Sequence, residues 1–244
     1  VRLRVIDPEA SADQPMVSEN GRFVLAYNGE IYNHQELRRE LEGRGFRFRT
    51  QCDTEVVLGA FEAWGTDCFS RFRGMFAIAI WDSRLHRLVL ARDRLGIKPL
   101  YVYQAGPDLC FGSELKAILS HTGVPRFLDW EALQNYLSLN YVPGPATLIK
   151  DLRKLPPGHF LEYWKGQTRI ARYWQYPTGR VRAISLDEAS EGLDCLLAES
   201  VREHTQSDMP LGVWVSGGLD STTLLDYVAK QSSAPVKTFS VGFE

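Results

Sequence analysis

Short apolar runs separated by turn residues dominate the first 178 positions of the chain. Phe23 to Tyr27, Met75 to Trp81, Leu88 to Ala91, Leu100 to Tyr103, Leu109 to Phe111, Phe160 to Trp164 and Ile170 to Trp174 have the length and composition of strands. Val1 to Asp7 reads as another. Asp82-Ser83-Arg84 predicts a hairpin between two of these runs, and Asn28-Gly29 is a strong turn signal in its own right. Helices interrupt the strands. Asn33 has the chemistry of an N-cap, with Glu36 three residues on and Gly43 closing the helix. A second helix follows Asp53-Thr54, carries Val57, Leu58, Phe61 and Trp64 on one face, and ends at Gly65. Glu114 to Ser120 and Trp130 to Leu137 predict two more. Strand clusters with intervening helices make residues 1–178 a layered α+β domain.

The pattern changes at Tyr176 to Arg182, where Pro177, Thr178 and Gly179 read as a linker. Ser185-Leu186-Asp187-Glu188 is a capping box. The helix it opens has Leu186, Ala189, Leu193, Leu196, Leu197 and Val201 on one stripe and runs to about His204. A short buried strand at Val213 to Val215 leads into Ser216-Gly217-Gly218, then a helix from Leu219 to about Lys230, then a strand over Val236 to Val241. Helix, strand, glycine loop, helix and strand predict the opening of an α/β domain with a parallel sheet over residues 185–244.

Composition narrows the function classes. Of 244 residues, 44% are apolar and 24% charged, as in an ordinary globular protein. The net charge of -2 argues against a nucleic-acid-binding surface. Arg38, Arg39, Arg44, Arg47 and Arg49 are interleaved with Glu36, Glu40 and Glu42, a solvated face of ion pairs. The four cysteines form no C-x-x-C pair and have no histidine cluster beside them, which removes a zinc site and a disulfide framework. Scattered cysteines suit a reducing cytoplasm. No apolar run has the length of a membrane span. The chain opens at Val1 inside a strand-like run and stops after another, so a longer parent protein is expected.

The glycine loop carries the clearest chemistry. Two glycines between an apolar strand and an amphipathic helix let the backbone turn sharply and approach a ligand closely. The loop and first-turn N–H groups would converge on an anion, helped by the helix dipole. Ser216, Ser221 and Thr222 add hydroxyls, and the Asp220 carboxylate beside a polyphosphate suggests Mg²⁺. No Gly-Lys-Ser/Thr follows, so this is not a Walker A loop. The plainer alternative is an ordinary strand-to-helix turn capped by Asp220 and Ser221. The whole string Ser216-Gly217-Gly218-Leu219-Asp220-Ser221 resembles the PP-loop of the N-type ATP pyrophosphatases. That resemblance implies that Ser216, Gly217, Gly218, Asp220 and Ser221 hold the pyrophosphate end of ATP and that Val241 lies near the adenine. Trp214 departs from the aliphatic residue usual before the loop and is a further candidate for the base.

Asn28-Gly29-Glu30 taken alone is a hairpin turn. Other strings accumulate around it: Arg2-Leu3-Arg4-Val5-Ile6-Asp7, Gln14-Pro15-Met16, Tyr27 to Asn33, Asp53-Thr54-Glu55-Val56, Arg73 to Ala77 and Arg92 to Tyr101, in that order. Together they resemble the class II glutamine amidotransferases, in the branch of the asparagine synthetases. The resemblance implies an Ntn-type αββα domain and hydrolysis of glutamine by an N-terminal cysteine. Asn28 and the Gly29 N–H would form the oxyanion hole, Arg2 would bind the substrate α-carboxylate, and Glu30 and Asp53 the α-ammonium. No cysteine stands at the start of this chain, and Cys52 reads as structural, so the chain alone is expected to be inactive. His159 reads as a turn residue, Lys98-Pro99 as structural, and Trp164, Tyr173, Trp174 and Tyr176 as domain-interface packing.

The same resemblance implies ATP-dependent amidation of aspartate to asparagine through β-aspartyl-AMP, with AMP and pyrophosphate released. The substrates would be glutamine, aspartate and ATP, with Mg²⁺ as cofactor, and a homodimer is allowed. Two other readings fit parts of the pattern. One is a related ATP-dependent amide-forming enzyme, such as a β-lactam synthetase-like cyclase, acting on another carboxylate. The other is a non-catalytic homologue.

Overall fold

Alternate residues of the long strands feed two different cores, and this sets the layers of the larger of two units. The computed structural model describes residues 5–7, 12–179 and 183–242. The described residues fall into one unit over 12–176 and another over 177–242 together with 5–7.

The first unit contains β1 (Met16–Val17), β2 (Phe23–Ile31), α1 (His34–Gly43), α2 (Asp53–Trp64), α3 (Cys68–Arg71), β3 (Gly74–Asp82) and β4 (Arg87–Arg92). These are followed by β5 (Tyr101–Ala105), β6 (Asp108–Gly112), α4 (Leu115–Leu119), α5 (Trp130–Leu139), β7 (Leu152–Lys154), β8 (His159–Trp164) and β9 (Gln167–Arg172). One sheet has six strands in the order β1-β2-β3-β4-β8-β9, and a second has three in the order β6-β5-β7. Every pairing in both is antiparallel. Phe76, Ile78 and Ile80 of β3 pack with Val89 and Ala91 of β4 against Leu37, Leu41, Val57, Phe61 and Phe69 of the first three helices. The intervening Ala77, Ala79, Leu88 and Leu90 pack against Leu100, Val102, Leu109 and Leu155 on the side of the smaller sheet. That sheet in turn packs Tyr103 and Leu152 on Ile118 of α4. The layers are therefore helices, six strands, three strands and helix, the α+β, αββα arrangement expected from the sequence. Phe61, Phe69, Phe72 and Phe76 are fully buried, and each contributes about 1.5–3 kcal/mol on leaving water.

Several local expectations are corrected. Asn28-Gly29 is not a turn: both residues lie within β2, opposite Ala77 and Phe76 of β3. Asn33 does not cap α1 with its side chain. Its Oδ1 accepts instead from the Arg73 N–H at 2.9 Å, and its Nδ2 donates to the Arg71 carbonyl at 3.1 Å, tying β3 to the start of α1. The strand expected over residues 1–7 falls partly outside the described residues, and residues 5–7 are not a strand. Tyr173 packs within the core of the first unit: its ring lies on Phe69 and Phe76, and its hydroxyl donates to the Arg92 carbonyl at 2.6 Å. The strands β1 and β7 and the short α3 were not anticipated.

The second unit holds α6 (Leu186–His204), β10 (Gly212–Trp214), α7 (Leu219–Gln231) and β11 (Lys237–Phe239). The capping box at Ser185 forms as expected, with the Ser185 hydroxyl accepting from the Glu188 N–H at 3.2 Å and the Glu188 carboxylate from the Ser185 N–H at 2.9 Å. β10 and β11 pair in parallel. β10 is not buried as expected, since Gly212 and Trp214 are exposed.

Candidate active site

β1 covers only Val24 and Leu25, so among the described residues no strand pairs with the far edge of β2 from Tyr27 to Ile31. Side chains take the edge instead. The Tyr27 N–H donates to Gln14 Oε1 at 2.6 Å, and the Ile31 N–H donates to Asp53 Oδ2 at 3.0 Å. Alternate N–H groups of a strand point the same way. Gly29 lies midway between these two residues, so its N–H projects from the same open edge. Gly29 has φ +152°, and a Cβ there would sit 2.0 Å from the Met75 carbonyl oxygen. Only glycine lets β3 approach this closely.

Asn28 and Glu30 lie on the opposite face of β2 from Tyr27 and Ile31. The Asn28 Nδ2 donates to Ser113 Oγ at 3.4 Å. Glu30 is buried, and among the described residues its Oε1 has no hydrogen-bond partner. Burial first, and the Asp53 carboxylate second, push its carboxyl up to about 7, against the opposite pull of Lys98. Asp53 opens α2 and is also buried. Burial pushes its pKa up, while hydrogen bonds from Tyr27 and the Ile31 and Thr54 amides, and the charge of His34, favour the ionised form. Asp53 Oδ2 accepts from the Tyr27 hydroxyl at 2.7 Å. Glu30 and Asp53 thus form a local concentration of buried carboxylate, which suits a cation. Arg2 lies outside the described residues.

Two residues at the end of β4 shape the loop that follows it. Asp93, fully buried, accepts from the N–H groups of Phe76, Leu95, Ile97 and Lys98 at 2.9–3.1 Å, which fixes the loop that carries Lys98. Arg92 donates to the carbonyls of Lys98, Gly96 and Leu155 at 2.7–2.8 Å. Lys98-Pro99 is therefore held by the preceding Arg92-Asp93 pair, whose part in the motif had no role assigned from sequence. Cys52 is buried, its thiol 2.9 Å from Thr50 Oγ1, and burial pushes its pKa up. A thiol of this kind is a core residue, not a nucleophile.

The glycine loop lies between β10 and α7. Gly217 has φ +81°, a left-handed conformation that favours glycine, with open space where a Cβ would stand. The hydroxyls of Ser216 and Ser221 are 3.1 Å apart, and Ser221 Oγ also accepts from the Ser216 N–H at 3.2 Å. Gly218 is the N-cap of α7 and offers no side chain, so the N–H groups of Leu219, Asp220 and Ser221 lack intrahelical acceptors. Asp220 is exposed in that first turn. β11 anchors the loop: the Val215 N–H donates to the Phe239 carbonyl at 2.8 Å, and Ser240 Oγ to the Val215 carbonyl at 2.7 Å. Trp214, 69% exposed, tilts against Phe239 at 5.6 Å, and Val241 is 68% exposed just beyond β11. The loop, Trp214 and Val241 all lie at the carboxyl end of the parallel pair, where open α/β sheets bind ligands. Among the described residues no cluster of metal-ligating side chains is present, and no helix is long and apolar enough to cross a membrane.

Comparison with known proteins matches the chain to two family models. The glutamine amidotransferase domain model matches residues 1–174, and the asparagine synthase model matches residues 192–244. Asparagine synthetase (glutamine-hydrolyzing) 3 of Bacillus subtilis is 35% identical over 250 residues, covering 100% of this chain and 40% of its own length. Asparagine synthetase (glutamine-hydrolyzing) 1 of the same organism is 39% identical over 244 residues, covering 100% of this chain and 38% of its own length. The chain thus spans about two fifths of the length of these relatives. The structure of the glutamine phosphoribosylpyrophosphate amidotransferase from B. subtilis complexed with ADP and GMP covers 93% of this chain and 48% of its own, at 19% identity and TM-score 0.46.

Proposed function

The chain belongs to the family of glutamine amidotransferase domains, and we propose that it is the glutamine-hydrolysing half and the opening of the ATP-binding half of an asparagine synthetase. The observation that carries this is the open edge of β2. There an outward N–H, an adjacent carboxamide and two buried carboxylates stand within four residues and one hydrogen bond of each other. An amide carbonyl developing negative charge needs donors, and an amino acid's ammonium needs carboxylate. Gly29 N–H and Asn28 Nδ2 would serve the first, Glu30 and Asp53 the second, and Arg2 the α-carboxylate. This chemistry calls for a cysteine thiolate as nucleophile, a part that the buried Cys52 does not fit.

ATP is the second substrate. The residues present fit its phosphates: an open glycine turn, two adjacent hydroxyls and the free N–H groups of a helix start. Asp220 fits Mg²⁺ in the usual manner, one carboxylate alongside substrate phosphates. Trp214 and Val241 would border the base. Aspartate would attack the α-phosphorus of ATP to give β-aspartyl-AMP as pyrophosphate leaves, and ammonia from glutamine would then displace AMP. Cytosolic residence accords with four cysteines that are all free.

The test is pyrophosphate release from ATP by the full-length protein, with aspartate and either glutamine or ammonium as nitrogen source. Aspartate-dependent release with both sources is expected. Release with ammonium alone would remove the glutaminase, and release independent of aspartate would remove the acceptor.

A further inference from the structure

A buried carboxylate next to a ligand ammonium is useful only if its oxygen is aimed. Asp53 Oδ2 has two lone-pair directions, and both are filled inside the protein, one by the Tyr27 hydroxyl at 2.7 Å and one by the Ile31 N–H at 3.0 Å. The carboxylate plane is thereby fixed, and a ligand N–H⁺ is directed to Oδ1, which keeps room for it beside the Thr54 amide. Tyr27 can hold this post because its ring is buried on the helix side of β2, in the same core as Val56, Val57 and Phe61 of α2, the helix that Asp53 begins. Its phenol stays protonated: burial, then the Asp53 carboxylate, pushes its pKa well up, so it is a donor at any working pH.

We propose that Tyr27 is a positioning residue of the amino-acid site, holding Asp53 so that its Oδ1 meets the substrate ammonium. This rests on the assignment of Asp53 to the ammonium end made above. Hydrogen bonds to charged groups are strong enough that losing this one costs about tenfold in affinity. Tyr27 touches neither the amide under attack nor its oxyanion, so the loss falls on KM and not on kcat.

The test uses the full-length protein, with Tyr27→Phe compared to wild type on L-glutamine and on glutaramate, the same amide without the α-amino group. The expected result is a KM for glutamine raised about tenfold, kcat nearly unchanged, and an unaltered KM for glutaramate. Tyr27→Phe added to Asp53→Asn should cost nothing more than Asp53→Asn alone. A KM change shared by glutaramate, a loss confined to kcat, or an unchanged KM for glutamine overturns the proposal. Should Tyr27→Phe not fold, 3-fluorotyrosine at position 27 keeps the shape and alters the donor. A shift in the glutamine KM without one for glutaramate is then the supporting result, and no selective shift the opposing one. Wild-type protein that releases no ammonia from glutamine would remove the glutaminase itself and this inference with it.

Discussion

Removing water from a carboxylate and setting another beside it raises the free energy of the charged form. Glu30 has both disadvantages and titrates at about 7 instead of its ordinary 4.5. Between those values the folded protein keeps a proton that the unfolded chain has released, so stability falls as pH rises through the window. Below pH 4.5 the penalty is absent, and above pH 7 it is complete. Glu30→Gln is therefore expected to unfold at a higher temperature than wild type at pH 8, by up to about 3 kcal/mol in stability, and to match it at pH 4. Parallel melting curves across this range would show that Glu30 is not strained by burial. On the proposed reading a bound ammonium supplies a partner for Glu30, so glutamine affinity should strengthen as pH rises through 7. Glu30 and Asp53 were legible in the sequence only through the resemblance of their surrounding strings. Tyr27 was not, because its partner Asp53 lies 26 positions away and no local period connects the two.

At the scale of elements, most strands and helices were readable from apolar runs and turn residues, and the failures share a cause. Asn28-Gly29 carries a genuine turn preference, but nine consecutive pairings with β3 from Phe23 to Ile31 override it. Asn33 has a capping side chain, but the Arg71–Arg73 backbone at the entry to β3 claims it. In both places a long-range partner outbids a local propensity. Ser185 has no such competitor, and its capping box forms as written. Gly29→Ala tests the first case. The new Cβ would strike the Met75 carbonyl of β3, and backbone on backbone cannot yield. Urea unfolding should show a loss of more than about 3 kcal/mol, if the variant folds at all. Gly65→Ala, at φ +56° with open space around its Cβ, should lose only about 1 kcal/mol. Similar losses in the two variants would mean that β2 and β3 are not in close contact at Gly29.

At the scale of the whole molecule, the two units differ in what holds them. The first has three packed cores, whereas among the described residues of the second only Val201 is buried. Periodicity marked Leu186, Leu193 and Leu196 as an apolar stripe, and all three are exposed, because a stripe shows which way a helix faces and not whether anything covers it. On the proposed reading the chemistry divides in the same way, with amide cleavage at the edge of β2 and phosphate binding at the loop before α7. Separate damage should therefore produce opposite defects in the full-length protein. Asn28→Ala removes the proposed oxyanion donor and should lower glutamine-driven asparagine formation by about 10²–10³-fold while sparing the ammonium-driven reaction. Gly217→Val forces a β-branched residue into φ +81° and closes the glycine turn. It should abolish pyrophosphate release with either nitrogen source yet leave glutamine hydrolysis intact. Should Asn28→Ala depress both reactions equally, Asn28 would serve the ATP-dependent step as well. Should Gly217→Val retain pyrophosphate release, the phosphates would have to be held somewhere other than the loop from Ser216 to Ser221.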